Sequence, residues 1–70
     1  MMAATEQAAK TLREWRAFRR KTKAEVAKAL EVHPSTYARM EDRPADVTMR
    51  EASLLAKIFN CEVGEINFFD

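Results

Sequence analysis

The stretch TKAEVAKALEVHPSTYARMED, residues 22–42, decides the fold. It opens with Thr22 and Glu25 in the pattern Thr-x-x-Glu, in which the hydroxyl accepts a hydrogen bond from an early helical amide and the glutamate reaches back to the capping residue. A helix is therefore predicted to start at Lys23. Pro34 then opens a second helix, because proline pushes its predecessor out of helical geometry yet fits the first position of a new helix. The stretch thus predicts two short helices separated by a tight break.

The rest of the chain also shows helical patterns. Apolar residues recur at spacings of three and four, and a second Thr-x-x-Glu pattern stands at residues 48–51. One glycine in 70 residues argues against hairpins built on Asn-Gly or Asp-Gly turns. The predicted fold is all-α, a compact single domain over residues 1–70. Its five predicted helices cover about residues 5–19, 23–30, 34–42, 49–59 and 61–67.

The predicted core follows the inward stripe of each helix. Trp15 and Tyr37 lie on these stripes, so both aromatic side chains are interpreted as core residues rather than as rings that stack on bases. Phe18 flanks the first stripe. The other residues expected inside are Ala8, Leu12, Val26, Ala27, Leu30, Val32, Met40, Met49, Ala52, Leu55, Ala56, Phe59, Val63 and Ile66.

Composition argues against several classes of protein. Cys61 is the only cysteine and His33 the only histidine, so neither an internal disulfide nor a metal site is expected. No nucleophile or carboxylate stands at a suitable spacing from His33, so an enzyme, a cofactor and a small-molecule substrate are not expected. The amino terminus lacks an apolar run, which predicts neither a signal peptide nor a membrane span and favours a cytoplasmic location.

Charge is segregated along the chain although the net charge is only +1. Residues 10–39 carry nine Lys or Arg against three Glu, whereas residues 40–70 carry three Lys or Arg against seven acidic residues. A basic half in a small helical protein is typical of a surface that contacts phosphate. Its densest part consists of Arg19, Arg20, Lys21 and Lys23. A solvated face and docking onto an acidic protein are the alternatives.

The two short helices also match the arrangement of a helix-turn-helix unit. In a helix-turn-helix unit, here about residues 23–42, the first helix braces against the DNA backbone and the amino end of the second enters the major groove. His33, Ser35 and Thr36 supply hydrogen-bonding groups at that end. Arg39, one turn further along, is long enough to reach a guanine edge or a phosphate. The sequence therefore predicts binding to double-stranded DNA.

Four segments, in this order and spacing, resemble a known family. They are LxxWR at 12–16, TKAEVA at 22–27, VHPSTYARME at 32–41 and LAKIFNCEV at 55–63. Together they resemble the lambda-repressor-like, Cro/C1-type (XRE) helix-turn-helix domains of phage and bacterial regulators. The resemblance implies a sequence-specific transcriptional regulator, of the Cro-like or compact phage or prophage repressor kind. Such a protein occupies an operator in the bacterial cytoplasm or nucleoid.

The resemblance also implies roles for individual residues. Lys23 would hold a phosphate from the amino end of the second helix, and Arg39 is the strongest candidate to read a base. Arg16 and Glu41 match a family pair that links the first helix to the end of the recognition helix. The full predicted DNA-binding set is Lys21, Lys23, His33, Pro34, Ser35, Thr36, Arg39 and Arg43.

The chain departs from the family pattern in two places. Glu31 occupies a turn position that usually holds glycine, so it must adopt a left-handed backbone or reshape the turn. Arg20 and Lys21 stand where the family has a glycine and an apolar residue, so Phe18 is the candidate to fill the missing apolar place.

The last part of the chain suggests association. Leu54 and Ile58, four residues apart on the predicted fourth helix, are expected to form an apolar patch with Phe68 or Phe69. An exposed patch predicts a homodimer that reads two half-sites, whereas a chain end that folds back would cover it. The alternative function is a protein-interaction module on the same scaffold, such as an antitoxin-like or antirepressor partner. The acidic carboxy-terminal half and Glu31 in the turn favour that alternative.

Overall fold

The computed structural model describes residues 9–69 of the chain. Four α-helices make up most of this part: α1 (Leu12–Phe18), α2 (Lys23–Leu30), α3 (Pro34–Asp42) and α4 (Met49–Phe59). Two 3-10 turns, Pro44–Asp46 and Val63–Glu65, follow α3 and α4. Within residues 9–69 the only extended pairing is an isolated parallel bridge between Lys10 and Ile66. The prediction of an all-α fold is confirmed, and the two short helices of the decisive stretch are α2 and α3.

The helix α2 begins where its capping box predicts. Thr22 Oγ1 accepts from the Glu25 amide at 3.0 Å, and Glu25 Oε1 accepts from the Thr22 amide at 2.7 Å. Thr48 and Glu51 repeat this arrangement at the start of α4. Each box satisfies two amides near the helix start, so both starts are determined by local sequence.

The prediction of one continuous helix over residues 5–19 is wrong, because residues 9–11 are not helical. Residues 5–8 of that prediction lie outside the described range. The helix α1 begins at Leu12 because Thr11 and Glu14 form a third capping box. The hydroxyl of Thr11 accepts from the Glu14 amide at 3.2 Å, and the carboxylate accepts from the Thr11 amide at 2.9 Å.

The predicted fifth helix, over residues 61–67, is also wrong. Only Val63–Glu65 turns, as a single 3-10 turn, and the chain then pairs with the segment before α1. The Lys10 amide donates to the Glu65 carbonyl at 3.1 Å, and the Asn67 amide donates to the Lys10 carbonyl at 2.8 Å. These bonds to a distant part of the chain replace the ones that a continuing helix would make.

The helices surround one apolar core. Its largest fully buried side chains are Tyr37, Phe59, Leu12, Leu55 and Val26. Met49, expected inside, is 74% exposed, since it stands at the first turn of α4 where the inward stripe runs past the edge of the core. Phe18 is 57% exposed and therefore does not fill an apolar place in the core. Ala8 lies outside the described residues.

Trp15 joins α1 to the later part of the chain. Its Nε1 donates to the Glu65 carbonyl at 2.8 Å, and its ring stacks on Phe59 with 6.4 Å between centroids. Arg19 Nε donates to the Phe59 carbonyl at 2.7 Å, and its guanidinium lies 5.2 Å from the Trp15 ring centroid. These contacts hold α1 against the carboxyl end of α4.

The turn between α2 and α3 is built on a left-handed glutamate. Glu31 has φ 64° and ψ 42°, the first of the two alternatives that the sequence leaves open. The Glu31 amide donates to the Lys28 carbonyl at 3.0 Å, and the Val32 amide donates to the Ala27 carbonyl at 3.0 Å. These bonds close α2 in a Schellman arrangement, which glycine adopts without the steric cost of a Cβ.

We predict that Glu31→Gly raises the free energy of unfolding by about 1 kcal/mol, because glycine adopts a positive φ without that steric cost. Urea denaturation of the wild-type protein and the variant measures the difference. Glu31→Ala is the matched control, since it removes the same charge but keeps the Cβ, and it should give no gain. An equal gain in both variants would attribute the effect to the lost charge and contradict the prediction.

Candidate nucleic-acid interface

The amino end of α3 is fixed by its first residues. His33 is the N-cap, with φ −69° and ψ 146°, and Pro34 occupies the first helical position. The Nδ1 atom of His33 accepts a hydrogen bond from the Ser35 amide at 3.1 Å, and the Ser35 hydroxyl oxygen lies 2.9 Å from the same nitrogen. Pro34 has no amide to satisfy, so this cap and the preset φ of proline define where the helix starts.

The helix α3 has one face in the core and one in solvent. Tyr37 and Met40 are buried in the core cluster. Among the residues predicted to face DNA on this helix, His33, Pro34, Ser35 and Arg39 are exposed and Thr36 is half-buried. No ion pair within residues 9–69 engages the Arg39 guanidinium. The outer face is therefore free to approach another molecule.

A buried ion pair ties α3 to α1. Arg16 Nε donates to Glu41 Oε2 at 2.6 Å, and the Glu41 side chain is fully buried while that of Arg16 is 19% exposed. Arg16 Nη1 also donates to the Lys21 carbonyl at 3.2 Å. One guanidinium thus connects α1, the loop before α2 and the carboxyl half of α3.

Both partners of this pair have shifted pKa values. Burial raises the pKa of the Glu41 carboxyl, but the neighbouring Arg16, Tyr37 and Lys23 together outweigh burial, so the pKa lies below its usual value. Among these neighbours the hydrogen bond from Arg16 lowers the pKa most, and the charge of Lys23 lowers it least. The pKa of Arg16 is raised, mainly by its hydrogen bond to Glu41. Burial and the neighbouring Glu41 carboxylate raise the pKa of Tyr37, whose hydroxyl forms no hydrogen bond with any described residue.

The basic side chains fall into two sets. The first set contacts groups of the protein itself: Arg13 lies 3.5 Å from Glu41, and Arg19 binds the Phe59 carbonyl. Arg19 belongs to the basic cluster of residues 19–23, and its guanidinium also donates to the Asn60 carbonyl at 3.4 Å. The second set makes no ion pair within residues 9–69. It includes exposed Lys23, Arg39 and Arg43 and half-buried Lys21.

Arg43 lies on the same side of the molecule as Arg39. Its amide donates to the Arg39 carbonyl at 2.7 Å at the end of α3. Both side chains line an open groove of about 260 Å³ between α3 and the start of α4, which Asp46 and Glu51 also line. Arg39, at the second turn of α3, and Arg43, directly after α3, thus belong to one surface.

The predicted apolar patch is only partly exposed. Leu54 is 37% exposed and Phe69 is 87% exposed, whereas Ile58 and Phe68 are half-buried against the core. Of the predicted patch, Leu54 and Phe69 therefore remain at the surface.

Sequence reasoning missed the roles of two residues. It places His33 among the residues that face DNA but not at the cap of α3, although a residue directly before a proline at the first helical position stands at the N-cap and signals a capping role. Arg13, which lies 3.5 Å from Glu41 and 3.6 Å from Asp42, carries no local signal because these contacts depend on how α1 packs on α3.

Other kinds of site find little support in the described part of the chain. Residues 9–69 contain no group of His, Cys, Asp or Glu side chains that could hold a metal ion, and none of their helices is long and apolar enough to cross a membrane. Burial raises the pKa of the Cys61 thiol, which disfavours the reactive thiolate form.

The paired helices, the exposed amino end of α3 and the unpaired cations around it define a helix-turn-helix domain. A family model described as helix-turn-helix matches residues 12–66, most of the chain. The chain therefore belongs to the XRE-type, Cro/C1-like helix-turn-helix family of DNA-binding regulators. Comparison with curated proteins and with solved structures gives no significant match.

We predict that Arg16→Met lowers the free energy of unfolding by about 3 kcal/mol, because the buried Glu41 carboxylate would lose its short hydrogen bond and keep only the longer contact with exposed Arg13. The wild-type pair contributes stability above the usual glutamate pKa and loses it as the pH falls through the lower native value. This acid-sensitive contribution should be absent from the variant. Urea denaturation across the pH range from about 3 to 7 measures both effects.

Arg50→Met is the matched control for this experiment, since Arg50 is exposed on α4 and makes no ion pair with the described residues. It should change the free energy of unfolding by no more than about 0.5 kcal/mol. A loss in Arg16→Met no greater than this would show that the pair does not stabilise the fold.

Proposed function

We propose that this protein is a sequence-specific regulator of transcription, of the Cro-like or compact phage or prophage repressor kind, that acts in the bacterial cytoplasm or nucleoid. It inserts α3 into the major groove of a double-stranded operator. The observation that carries the proposal is the amino end of α3, where His33, Ser35 and Arg39 are exposed. The ion pair between Arg16 and Glu41 holds this helix in a fixed orientation, as base readout requires.

The side chains of α3 divide between bases and backbone. Arg39 presents an unpaired guanidinium, which suits bidentate hydrogen bonds to the O6 and N7 atoms of guanine. Ser35 offers a short hydroxyl near the base edges, and Pro34 offers apolar contact. Thr36 is half-buried and therefore suits the sugar-phosphate backbone better than the bases.

Cations on other elements complete the proposed surface. Lys23 is the first residue of α2, Lys21 precedes it in the loop held by Arg16, and Arg43 follows α3. They would contact phosphates, which position a protein on DNA without specifying sequence. A homodimer would place two copies of α3 in two half-sites of an operator, and Leu54 and Phe69 supply exposed apolar surface for it.

We predict that Arg39→Ala weakens binding to the operator about tenfold to a hundredfold and hardly changes binding to a scrambled duplex, because it removes a base contact. The operator is obtained by selecting bound duplexes from a random pool with the wild-type protein. Fluorescence anisotropy titrations then compare both duplexes at one salt concentration. Equal losses on both duplexes would contradict base readout by Arg39.

We predict that Lys23→Ala weakens binding to both duplexes alike and reduces the slope of log affinity against log salt by about 1, because one phosphate contact is lost. Titrations at several salt concentrations measure the slope. Lys57→Ala is the matched control, since Lys57 is an exposed cation on α4, outside the proposed surface. It should leave the slope unchanged.

Two outcomes would contradict the DNA-binding proposal itself. One is wild-type affinity for DNA that is absent or insensitive to salt. The other is failure to retard any duplex combined with co-purification of a protein partner, which would favour the interaction-module alternative.

A further inference from the structure

We propose that His33 offers DNA a fixed hydrogen-bond donor, its Nε2–H group, and thereby selects a hydrogen-bond acceptor on the operator. This inference rests on the proposed function and assigns one residue of the proposed surface a defined chemical role. It makes His33 a specificity-determining residue in addition to the cap of α3.

The protonation pattern of the ring follows from the cap. The Ser35 amide points at His33 Nδ1 from 3.1 Å, and a backbone amide can only donate. The nitrogen Nδ1 must therefore accept, which requires that it carries no proton. The Ser35 hydroxyl, 2.9 Å from the same atom, can rotate its proton to suit this arrangement.

A neutral imidazole that lacks a proton on Nδ1 carries it on Nε2. The side chain of His33 is exposed, and no hydrogen bond within residues 9–69 uses its Nε2 atom. The capping bond also restricts the ring, because rotating it would leave the Ser35 amide without an acceptor. The free edge of the ring thus presents one donor in a restricted direction at the amino end of α3.

A fixed N–H donor distinguishes hydrogen-bond acceptors on DNA from hydrogen-bond donors. Guanine O6, purine N7, thymine O4 and phosphate oxygens accept hydrogen bonds, and the Nε2–H group can donate to any of them. The amino groups of adenine and cytosine only donate, so His33 would leave them unpaired. A base acceptor and a phosphate oxygen share the same chemistry, and the experiments below separate them.

Long-range nitrogen–proton NMR of the free wild-type protein tests the ring directly. We expect an unprotonated Nδ1 and a protonated Nε2 at neutral pH. A proton found on Nδ1 would overturn the assignment. This measurement needs no DNA, so its result does not depend on the proposed function.

His33→Ser and His33→Ala then separate capping from DNA contact. Serine is a favoured N-cap but too short to reach DNA, so His33→Ser should unfold at nearly the wild-type urea concentration while its affinity for the selected operator falls about tenfold. The alanine variant loses both the cap and the contact, and it should be less stable as well. Wild-type affinity in His33→Ser would overturn the role of His33 in binding.

Selection of duplexes with His33→Ser identifies the acceptor. Loss of a preferred base at one position of each half-site assigns a base edge, whereas an unchanged consensus with uniformly weaker binding assigns a phosphate. Lack of DNA binding by the wild-type protein would overturn the proposed function together with this inference. Tight wild-type binding with an unaffected serine variant would overturn this inference alone.

Discussion

The proposed surface depends on one buried carboxylate. The side chain of Glu41 is fully buried, and its desolvation is offset by the hydrogen bond at 2.6 Å from Arg16. The same guanidinium binds the carbonyl of Lys21, so one side chain links α3 to the loop before α2. A helix that reads bases must keep a fixed angle to the cations that contact the DNA backbone, and these two hydrogen bonds of Arg16 supply that constraint.

Contacts within the protein also explain why its net charge does not show how many cations can contact DNA. The basic residues of α1, such as Arg13 and Arg16, neutralise acidic groups of α3 or bind carbonyls within the protein. The cations free to meet phosphate, such as Lys23 and Arg43, follow α1 in the sequence. Segregation of charge along the chain identifies a basic half, but only tertiary contacts show which cations in it remain unpaired.

The elements predictable from sequence are those whose ends are set by neighbouring residues. Capping at Thr22 and the proline at position 34 define α2 and α3, because these interactions span only a few residues. The same capping rule applied to Thr11 would have located the start of α1. The segments around Lys10 and Ile66 are not predictable in this way, since their pairing joins parts of the chain that are distant in sequence and takes the place of the helical structure expected there.

The geometry of the turn explains why the outer face of α3 is kept although Glu31 departs from the family pattern. A left-handed Glu31 costs strain, but the bonds that close α2 at Ala27 do not require glycine, only its backbone conformation. The Val32 amide bonds to the Ala27 carbonyl, and three residues later the Ser35 amide bonds to the His33 ring. Hydrogen bonds of backbone amides therefore run from α2 through the turn into α3. The directions in which His33 and Ser35 point are therefore set by the backbone, and a changed turn residue alters the stability of the domain more than the groups it presents.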